Sequence, residues 1–272
     1  MIEKVNPSHP DKIADRIAGF IVDYAYKLDD SPTIAVEVLI GHGKCYVIIE
    51  TSIPDKINTD LIKEHIRSLT YKNIKCQFKI VPQDINLEQN QMHGISCGDN
   101  GIFKGCPISD EEKILNKIAH AIYDVYPYDG KYILDLENAH LIVCQSHCDD
   151  NDKIKDIIAG LYPWIYTVVN PLGPWSGGID VDTGATNRKL GSDMGHAVTG
   201  GGLHGKDYSK CDLTLNIYAH KLAQQFNEEI NIYCAIGQTK INGREYSDLV
   251  NEAKDYINSI GGFEKFAMWG LC

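Results

Sequence analysis

Short β-rich runs separated by three-residue turns constrain the fold of this chain more than any other feature. "TIAVEVLI" and "KCYVIIETS" flank "GHG", and "KYILDL" and "HLIVCQ" flank "ENA". Such short connections predict antiparallel hairpins, because parallel strands need a long crossover between them. Helical patterns such as "DLIKEHIRSLTY", "EEKILNKIAHAIYDVY" and "NDKIKDIIAGLY" lie between these runs. The chain is therefore predicted to adopt an α+β fold with antiparallel sheets.

A long amphipathic helix is predicted to begin within "VNPSHPDKIADRI". Ser8 suits the N-cap, Pro10 suits the first turn, and Asp11 follows Ser8 at the spacing of a capping box. Apolar residues then recur at helical spacing. His9, Asp11 and Lys12 are thereby brought together at the entrance of a helix, which is unusual for a purely structural element.

Two stretches without periodicity are predicted to be irregular. Residues 82–107 are polar and contain glycine, and a loop of that length is usually functional or mobile. Residues 170–210 are dense in Gly, Asp, Lys and Arg. After them, "CDLTLNIYAHKLAQQF" predicts a helix, "INIYCAIG" a strand and "YSDLVNEAKDYINSI" a final helix.

Composition excludes several classes of function. A net charge of −11 and a pI near 5.3 argue against a general nucleic-acid or anionic-membrane surface. No apolar run is long enough to span a bilayer, and acidic residues stand where a signal peptide would be basic. Nine scattered cysteines indicate reduced thiols and a cytoplasmic protein. In "CQSHC", packing is favoured over a metal site for Cys144, His147 and Cys148, because no second pair has zinc-finger spacing.

The glycine-rich segment "GGGLHGKD", residues 200–207, nearly matches the phosphate-binding pattern G-x-x-x-x-G-K-[ST]. Asp207 stands where a metal-binding hydroxyl is expected, so a P-loop is not indicated. Glycines still let backbone N–H groups approach an anion, and Lys206 and Lys210 add positive charge. Taken alone, the segment is more simply a flexible surface loop with solvated lysines.

Cations and carboxylates occur together around this loop. Cations neutralise a polyphosphate, and arginine grips it with two hydrogen bonds. Carboxylates would repel it unless a divalent metal lay between, and Mg²⁺ binds carboxylates together with phosphate oxygens. The mixture predicts a nucleoside triphosphate with Mg²⁺. The cations are Lys12, Lys131, Arg188 and Lys189, and the carboxylates are Asp182 and Asp212.

Four segments resemble motifs of the S-adenosylmethionine synthetase (methionine adenosyltransferase) family. They are "HPDKIAD", "GDNG", "NPLGPWSGGIDVDTGATNRK" and "GGGLHGKDYSKCD", in the family's order, and the similarity extends to about Gly237. Each motif is weak alone, but the four together are specific. The resemblance implies repeated small α/β domains with antiparallel sheets and helices on one face. Residues 1–100 would be the N-terminal domain, 101–168 a shortened central domain and 169–272 the C-terminal domain.

The resemblance implies a reaction in which the methionine sulfur attacks C5′ of ATP. Triphosphate leaves and is cleaved to diphosphate and phosphate. Catalytic roles are implied for His9, Lys12, Lys131, Arg188, Lys206 and Lys210. ATP contacts are implied for these residues and for Asp129, Trp175, Asp182 and Lys189. Methionine contacts are implied for Glu50, Gln83, Asp99, Asp182 and Ile236. Mg²⁺ is implied at Asp11 and Asp212, with two ions per site, and K⁺ at Glu37.

Such a reaction needs no covalent enzyme intermediate, so its catalysis is positioning plus stabilisation of the leaving oxygen. His9, the lysines and metal-bound carboxylates would serve that oxygen, aided by the positive end of the first helix. Plainer interpretations also exist. His9 could be only a polar group at a helix start, Glu37 and Glu50 the solvent side of a hairpin, and Trp175 a core residue.

The chain departs from the family pattern in ways that keep alternatives open. It is shorter, its glycine loop lacks one residue near the implied K⁺ site, and Pro174–Trp175 replaces an arginine–aromatic pair. A non-catalytic nucleotide-binding paralogue that regulates a partner synthetase is one alternative, and a kinase or triphosphatase is another. The resemblance implies ATP and L-methionine as ligands, no nucleic acid or membrane partner, and a homodimer with active sites between subunits, with dimers pairing into a tetramer as a further expectation.

Overall fold

The computed structural model describes residues 1–70 and 73–272. Its helices are α1 (Pro10–Leu28), α2 (Thr59–Thr70), α3 (Ile85–Gln91), α4 (Asp110–Val125), α5 (Asn151–Leu161), α6 (Leu190–Met194), α7 (Cys211–Phe226), α8 (Tyr246–Ile260) and α9 (Phe263–Trp269). Its strands are β1 (Ile2–Val5), β2 (Ile34–Gly41), β3 (Lys44–Thr51), β4 (Lys75–Pro82), β5 (Gly101–Gly105), β6 (Gly130–Asp135), β7 (His140–Gln145), β8 (Tyr166–Val169), β9 (Thr183–Ala185), β10 (Ile230–Cys234), β11 (Lys240–Ile241) and β12 (Arg244–Glu245).

Two four-stranded sheets share one topology. The first has the order β4-β3-β2-β9 and the second the order β1-β6-β7-β8. Each contains a hairpin, a helix after the hairpin, and a strand that returns parallel to the hairpin's second strand. An antiparallel strand from elsewhere in the chain completes the other edge. The repeated unit is thus visible in the structure, although the sequence shows no repeat.

The core lies between each sheet and its helices because side chains alternate along the strands. In β2, Ile34, Val36 and Ile40 are buried on the inner face, where α1 covers them with residues such as Ile17 and Ile21. A second core forms between α4, α5 and the β6–β7 hairpin. A third unit is smaller, with β5 and β10 paired under α7 and α8.

Hairpins, helices and the α+β class predicted from the sequence are confirmed, with two differences. Strands β4 and β8 pair in parallel, because a helix precedes each and supplies the crossover. Strand β1 and helix α9 were not expected, since their stability depends on tertiary packing. The predicted helix ending "SLTY" includes Tyr71, which lies outside the described residues.

The predicted cap of α1 is wrong. His9 occupies the N-cap, where its Nδ1 accepts a hydrogen bond from the Asp11 N–H at 3.1 Å. The Ser8 hydroxyl instead donates to the Pro127 carbonyl oxygen at 2.9 Å. Ser8 therefore ties the helix start to a neighbouring loop, and no capping box forms there.

The two predicted irregular stretches contain short elements. Residues 82–107 include α3, which Asp84 caps through the N–H groups of Asn86 and Leu87, and β5. Residues 170–210 include β9 and α6. Strands β5 and β9 pair with distant strands, so local sequence could not predict them.

The predicted domain boundaries at residues 100 and 168 stay predictions. Sheet pairing joins β1 to β6 and β9 to β2, so strands from both sides of each boundary share a sheet. In the "CQSHC" segment, Cys148 packs in the second core, as the packing interpretation expected. Within the described part of the chain, no helix is both long and apolar enough to cross a membrane.

Candidate active site

Most of the predicted ATP-binding residues converge at the N-terminus of α1. Asp11 anchors the group: its Oδ2 lies 2.6 Å from Lys189 Nζ and its Oδ1 accepts from the Ala185 N–H at 2.9 Å. Arg188 Nε lies 3.7 Å from the same Oδ1. Strand β9 can lie this close because Gly184 has no side chain, and a Cβ there would come 1.9 Å from the Pro10 carbonyl oxygen. We call the following set the entrance cluster: His9, Asp11, Asp129, Lys131, Asp182, Arg188 and Lys189.

His9 is neutral in this cluster. Burial, reinforced by the charge of Lys189, lowers the pKa of His9 to about 4, despite the opposing charges of Asp11 and Asp182. Its Nδ1 accepts from the Asp11 N–H, so the neutral ring carries its proton on Nε2. His9 is therefore a hydrogen-bond donor through Nε2 at ordinary pH.

Asp129 and Trp175 line the next part of the cluster. Burial, together with the nearby carboxylates of Asp182 and Asp11, raises the pKa of Asp129 to about 6, although Asp129 Oδ2 accepts from the Gly178 N–H at 2.8 Å. A Cβ on Gly177 would lie 2.6 Å from that carboxylate and 2.7 Å from the Trp175 ring. Asp129 and the indole are thus neighbours across a glycine.

Trp175 is not a core residue, because 37% of it is exposed. Its indole N–H donates to Asn170 Oδ1 at 3.1 Å, which fixes the ring at the edge of an open cavity of about 410 Å³. Cys144 and residues 170–175 line this cavity. Its walls are mainly apolar, and its size suits a planar aromatic group.

A second group of charges lies behind the entrance cluster and is closed to solvent. Lys12 Nζ lies 2.5 Å from Asp193 Oδ1, 3.0 Å from Asp15 Oδ2 and 3.3 Å from His204 Nε2. His204 Nε2 also lies 3.0 Å from Asp193 Oδ2. We call Lys12, Asp15, Asp193 and His204 the buried cluster. Burial disfavours both charges, but the carboxylates raise the pKa of Lys12, and Lys12 with His204 holds the pKa of Asp193 well below its usual range.

The buried cluster bears on the prediction for Lys12, which stays a prediction. We expected Lys12 to contact ATP, but its side chain is 1% exposed and both its carboxylate partners are buried. Asp15, Asp193 and His204 lie close enough together to hold a metal ion, yet the Lys12 ammonium already bonds to all three. In this structure the Lys12 ammonium links helix α1 to α6 and to the glycine-rich loop.

The predicted residues of the glycine-rich loop form a third group, on the loop itself and at the N-terminus of α7. Lys206 Nζ donates to Asp212 Oδ2 in a very short contact. Burial raises the pKa of Asp212 despite this pairing with Lys206, and the nearby charge of Asp99 acts in the same direction. Lys210 Nζ lies 3.9 Å from Asp207 Oδ2. We call Asp99, Lys206, Lys210, Asp212 and Ile236 the glycine-loop cluster.

Backbone contacts hold this loop against the first sheet. The Val36 N–H donates to the Gly205 carbonyl oxygen at 2.7 Å, and the Ile34 N–H donates to Asp207 Oδ2 at 2.7 Å. A Cβ on Gly201 would come 2.4 Å from the Asp212 carboxylate, so glycine allows the loop to lie directly on it. Asp207, the residue that departs from the P-loop pattern, thus accepts a backbone hydrogen bond from β2 and fixes the loop to that strand.

The remaining predicted residues lie on the first sheet and on the loop after β10. Glu37 is on the exposed face of β2 and accepts a very short hydrogen bond from the Thr186 hydroxyl. Glu50 lies opposite Ala35 on the same face. Gln83 is buried next to Thr51, and its Oε1 has no partner among the described residues. The Ile236 N–H donates to Asn100 Oδ1 at 2.9 Å, beside Asp99.

Several residues of these clusters were missed by the sequence analysis. Asp15, Asp193 and His204 carry no distinctive spacing, although Asp15 lies inside the "HPDKIAD" motif. Asn216 is buried one helical turn after Asp212, with Oδ1 unpartnered among the described residues. Its amide donates to the Asp212 carbonyl and to Thr199 Oγ1. Asn216 could have been noticed in the sequence as a polar residue at a position of α7 where the helical pattern places buried residues.

The donor chemistry of two carboxylates fits a hard cation. Among the described residues, the Cys211 thiol at 4.0 Å is the one donor near Asp212 Oδ1, and the Asp212 side chain is 22% exposed. Asp11 has each oxygen engaged, by Ala185 and Lys189, and is almost fully buried. Asp212 can therefore accept a metal as it stands, whereas Asp11 needs Lys189 to move from its Oδ2.

Comparisons with known proteins find similarity to S-adenosylmethionine synthetases. Residues 1–92 match the family described as "S-adenosylmethionine synthetase, N-terminal domain". The S-adenosylmethionine synthase of Paramagnetospirillum magneticum is 27% identical over 280 residues, covering 82% of this chain and 71% of that protein. That of Oenococcus oeni is 29% identical, covering 82% and 72%. The structure of an unusual S-adenosylmethionine synthetase from Campylobacter jejuni superposes with a TM-score of 0.79 at 18% identity, covering 100% of this chain and 93% of that one. The first third of the chain is thus similar to the N-terminal domain of S-adenosylmethionine synthetases, and the whole chain shares the fold of the Campylobacter jejuni protein.

Proposed function

We propose that this chain synthesises S-adenosylmethionine from ATP and L-methionine. The observation that carries the proposal is the entrance cluster, where a neutral histidine, a buried aspartate and a lysine meet at a helix N-terminus. An oxyanion is attracted by the positive end of a helix, by backbone N–H donors and by cations. The adjacent carboxylates would repel that oxyanion, so they need a metal ion or ribose hydroxyl groups as their own partners. A leaving triphosphate attached to a nucleoside satisfies both demands.

Each residue of the cluster has a role in this proposal. His9 donates from Nε2 to the oxygen that leaves C5′, because its Nδ1 is already engaged by the helix. Lys189, Arg188 and Lys131 neutralise the triphosphate. Lys189 Nζ lies 2.6 Å from Asp11 Oδ2, and Lys131 Nζ lies 2.7 Å from Glu3 Oε2. Each cation therefore exchanges a carboxylate for phosphate when ATP binds.

The adenosine end is assigned to Trp175 and Asp129. The exposed indole face offers a stacking surface for adenine, and Asp129 accepts hydrogen bonds from the ribose hydroxyls or the methionine ammonium. Asp182 lies close enough to affect the pKa of both His9 and Asp129, so it belongs to the same locus.

Mg²⁺ would be held by Asp212 and, once Lys189 moves onto phosphate, by Asp11. Bound Mg²⁺ supplies charge neutralisation at the triphosphate as negative charge builds on it. Lys206 leaves Asp212 for the polyphosphate, and Lys210 lies four residues after Lys206, at the N-cap of α7. K⁺ at Glu37 rests on the resemblance alone.

Methionine is assigned to Gln83, Glu50, Asp99 and Ile236. The buried and unpartnered Oε1 of Gln83 is an acceptor in need of a donor, and an ammonium group provides one. Ile236 is 48% exposed beside Asp99 and offers an apolar contact for the thioether chain.

A homodimer brings the separate groups together in this proposal. On the outer face of the first sheet, Leu39 is 45%, Tyr46 39% and Ile48 48% exposed. Glu37 and Glu50 lie on the same face. An apolar sheet face of this kind is suited to burial against a second copy, which would set the glycine-loop cluster of one copy opposite the entrance cluster of its partner. Pairing of such dimers into a tetramer stays a further prediction.

The test is a product assay with the purified protein, ATP, methionine, Mg²⁺ and K⁺, read by mass spectrometry. S-adenosylmethionine, diphosphate and phosphate are expected to form in parallel. Asp212→Asn should abolish metal-dependent turnover, and Asp248→Asn on α8 is the matched control that leaves it unchanged. ATP binding without product would favour the regulatory paralogue, and phosphate release without methionine would favour a triphosphatase. Either result would refute the proposed reaction.

A further inference from the structure

Two cysteines face each other on neighbouring strands of the first sheet. Cys45 in β3 and Cys76 in β4 are direct partners in the parallel register, and both are free thiols. Neighbouring strands lie about 4.8 Å apart. That separation falls within the range of about 4.4–6.8 Å between Cα atoms that a disulfide requires.

Both side chains point to the inner face of the sheet. Cys45 is fully buried, and Cys76 is partly buried at the edge strand, beneath α2. The outer face that we assign to the homodimer carries the alternate residues, such as Tyr46 and Gln77. Dimerisation would therefore leave Cys76 as accessible as it is in one copy.

The environment makes Cys76 the more reactive thiol. A hydrogen bond from the Cys45 thiol, with the positive charges of Arg67 and Lys63, lowers the pKa of Cys76 to about 7. The same hydrogen bond, together with burial, raises the pKa of Cys45. A partly exposed thiol in direct register with a buried partner thiol is the arrangement of an attacking and a resolving cysteine.

We propose that Cys45 and Cys76 form a reversible disulfide when the protein meets a peroxide. The Cys76 thiolate attacks one peroxide oxygen, the O–O bond breaks, and with one proton a sulfenic acid and water form. The Cys45 sulfur then attacks the Cys76 sulfur, the S–O bond breaks, and a second water leaves with the Cys45 proton. The two thiols lose two electrons in total and the peroxide gains them. A dithiol reductant reverses the step by thiol–disulfide exchange.

Other thiols have different surroundings. Cys144 is partly buried on β7, but its register partner is Lys131 on one side. Cys97, Cys211 and Cys234 are buried in the third core, where peroxide has little access. Cys144 therefore serves as a matched control. The three buried cysteines give the background level of oxidation in the same sample.

Trypsin makes the test direct, because Lys44 precedes Cys45 and Lys75 precedes Cys76. Peroxide-treated folded protein is alkylated, digested and analysed by mass spectrometry without reduction. The peptide "CYVIIETSIPDK" linked to "CQFK" is expected as the main disulfide, at least about tenfold enriched over protein oxidised in urea, since folding raises the effective concentration of one thiol near the other. Dithiothreitol should release both peptides. Equal yields in urea and in buffer would overturn the proposal.

Variants sharpen the order of steps. In Cys45→Ser, Cys76 should retain its sulfenic acid and react with dimedone, whereas in the wild type this adduct should be scarce. Cys144→Ser should leave the linked peptide unchanged. If dimedone labels Cys76 equally in the wild type and in Cys45→Ser, Cys45 does not resolve the sulfenic acid and the proposal fails. The wild-type digest tests the proposal independently of how well any variant folds, and independently of any synthetase activity.

Discussion

The entrance cluster and the buried cluster contain the same kinds of residue but have opposite relations to solvent. Both set lysine and histidine against aspartates, and both draw on the "HPDKIAD" motif. The Lys12 side chain is 1% exposed between two carboxylates, whereas the side chain of Lys189 is 19% exposed and that of Arg188 is 56% exposed. Charged side chains that are buried and fully paired hold secondary-structure elements together. Charged side chains that are partly paired and solvent-exposed can exchange one partner for another. Burial, more than residue type, separates structure from function here.

Lys12→Met should have the largest effect and tests the assignment of the buried cluster. Removing the ammonium leaves Asp15 and Asp193 buried without their cation, so the free energy of unfolding should fall by about 3–5 kcal/mol. Urea denaturation measures it. Unchanged stability combined with loss of ATP binding would show instead that Lys12 contacts the nucleotide.

Lys189→Met should have the opposite profile. The proposed function predicts that kcat/KM falls by about 10²–10³, because one cation is lost from the leaving group. Stability should fall by less than for Lys12→Met, about 1 kcal/mol, since Asp11 keeps its hydrogen bond from the Ala185 N–H. Parallel kinetic and urea measurements check both values, and a stability loss equal to that of Lys12→Met would erase the distinction between the clusters.

Asp129 predicts a pH dependence. Its pKa in the folded protein is about 6, raised from 3.8, so the folded state holds the proton more tightly than the unfolded state does. Its contribution to stability is present below pH 4 and is lost as pH rises through 6, an effect of about 1–3 kcal/mol. Asp129→Asn should therefore be more stable than the wild type at pH 8 and similar at pH 4, while losing activity. Thermal unfolding at the two pH values decides this, and a variant that is less stable at pH 8 would contradict it.

Glu3→Gln should have the smallest effect. The Glu3–Lys131 pair is about 40% exposed on both sides, at 42% and 41%, and such pairs contribute little to stability. The free energy of unfolding should change by less than about 0.5 kcal/mol. A loss of several kcal/mol would place Lys131 with the structural charges and remove it from the cations available to ATP.

Much of the entrance cluster could be predicted from the sequence because its residues lie in two motifs. "HPDKIAD" supplies His9 and Asp11, and "TNRK" supplies Arg188 and Lys189. Their meeting depends on β9 pairing with β2, a contact between distant segments that local patterns cannot reveal. The same reasoning did not foresee the burial of Lys12, since a lysine beside a histidine looks identical in sequence whether it faces a ligand or a buried carboxylate.

The sequence by itself determined the hairpins, the long helices, the α+β class and the resemblance to a family, because periodicity and motif spacing are local properties. Tertiary structure alone decided which charged side chains are buried, which buried amide oxygens lack a partner among the described residues, and that Cys45 lies opposite Cys76. Solvent access and cross-strand register arise only when segments far apart in the chain pack together. Those two quantities set the pKa of a group and the partners available to it, and so they decide its chemistry.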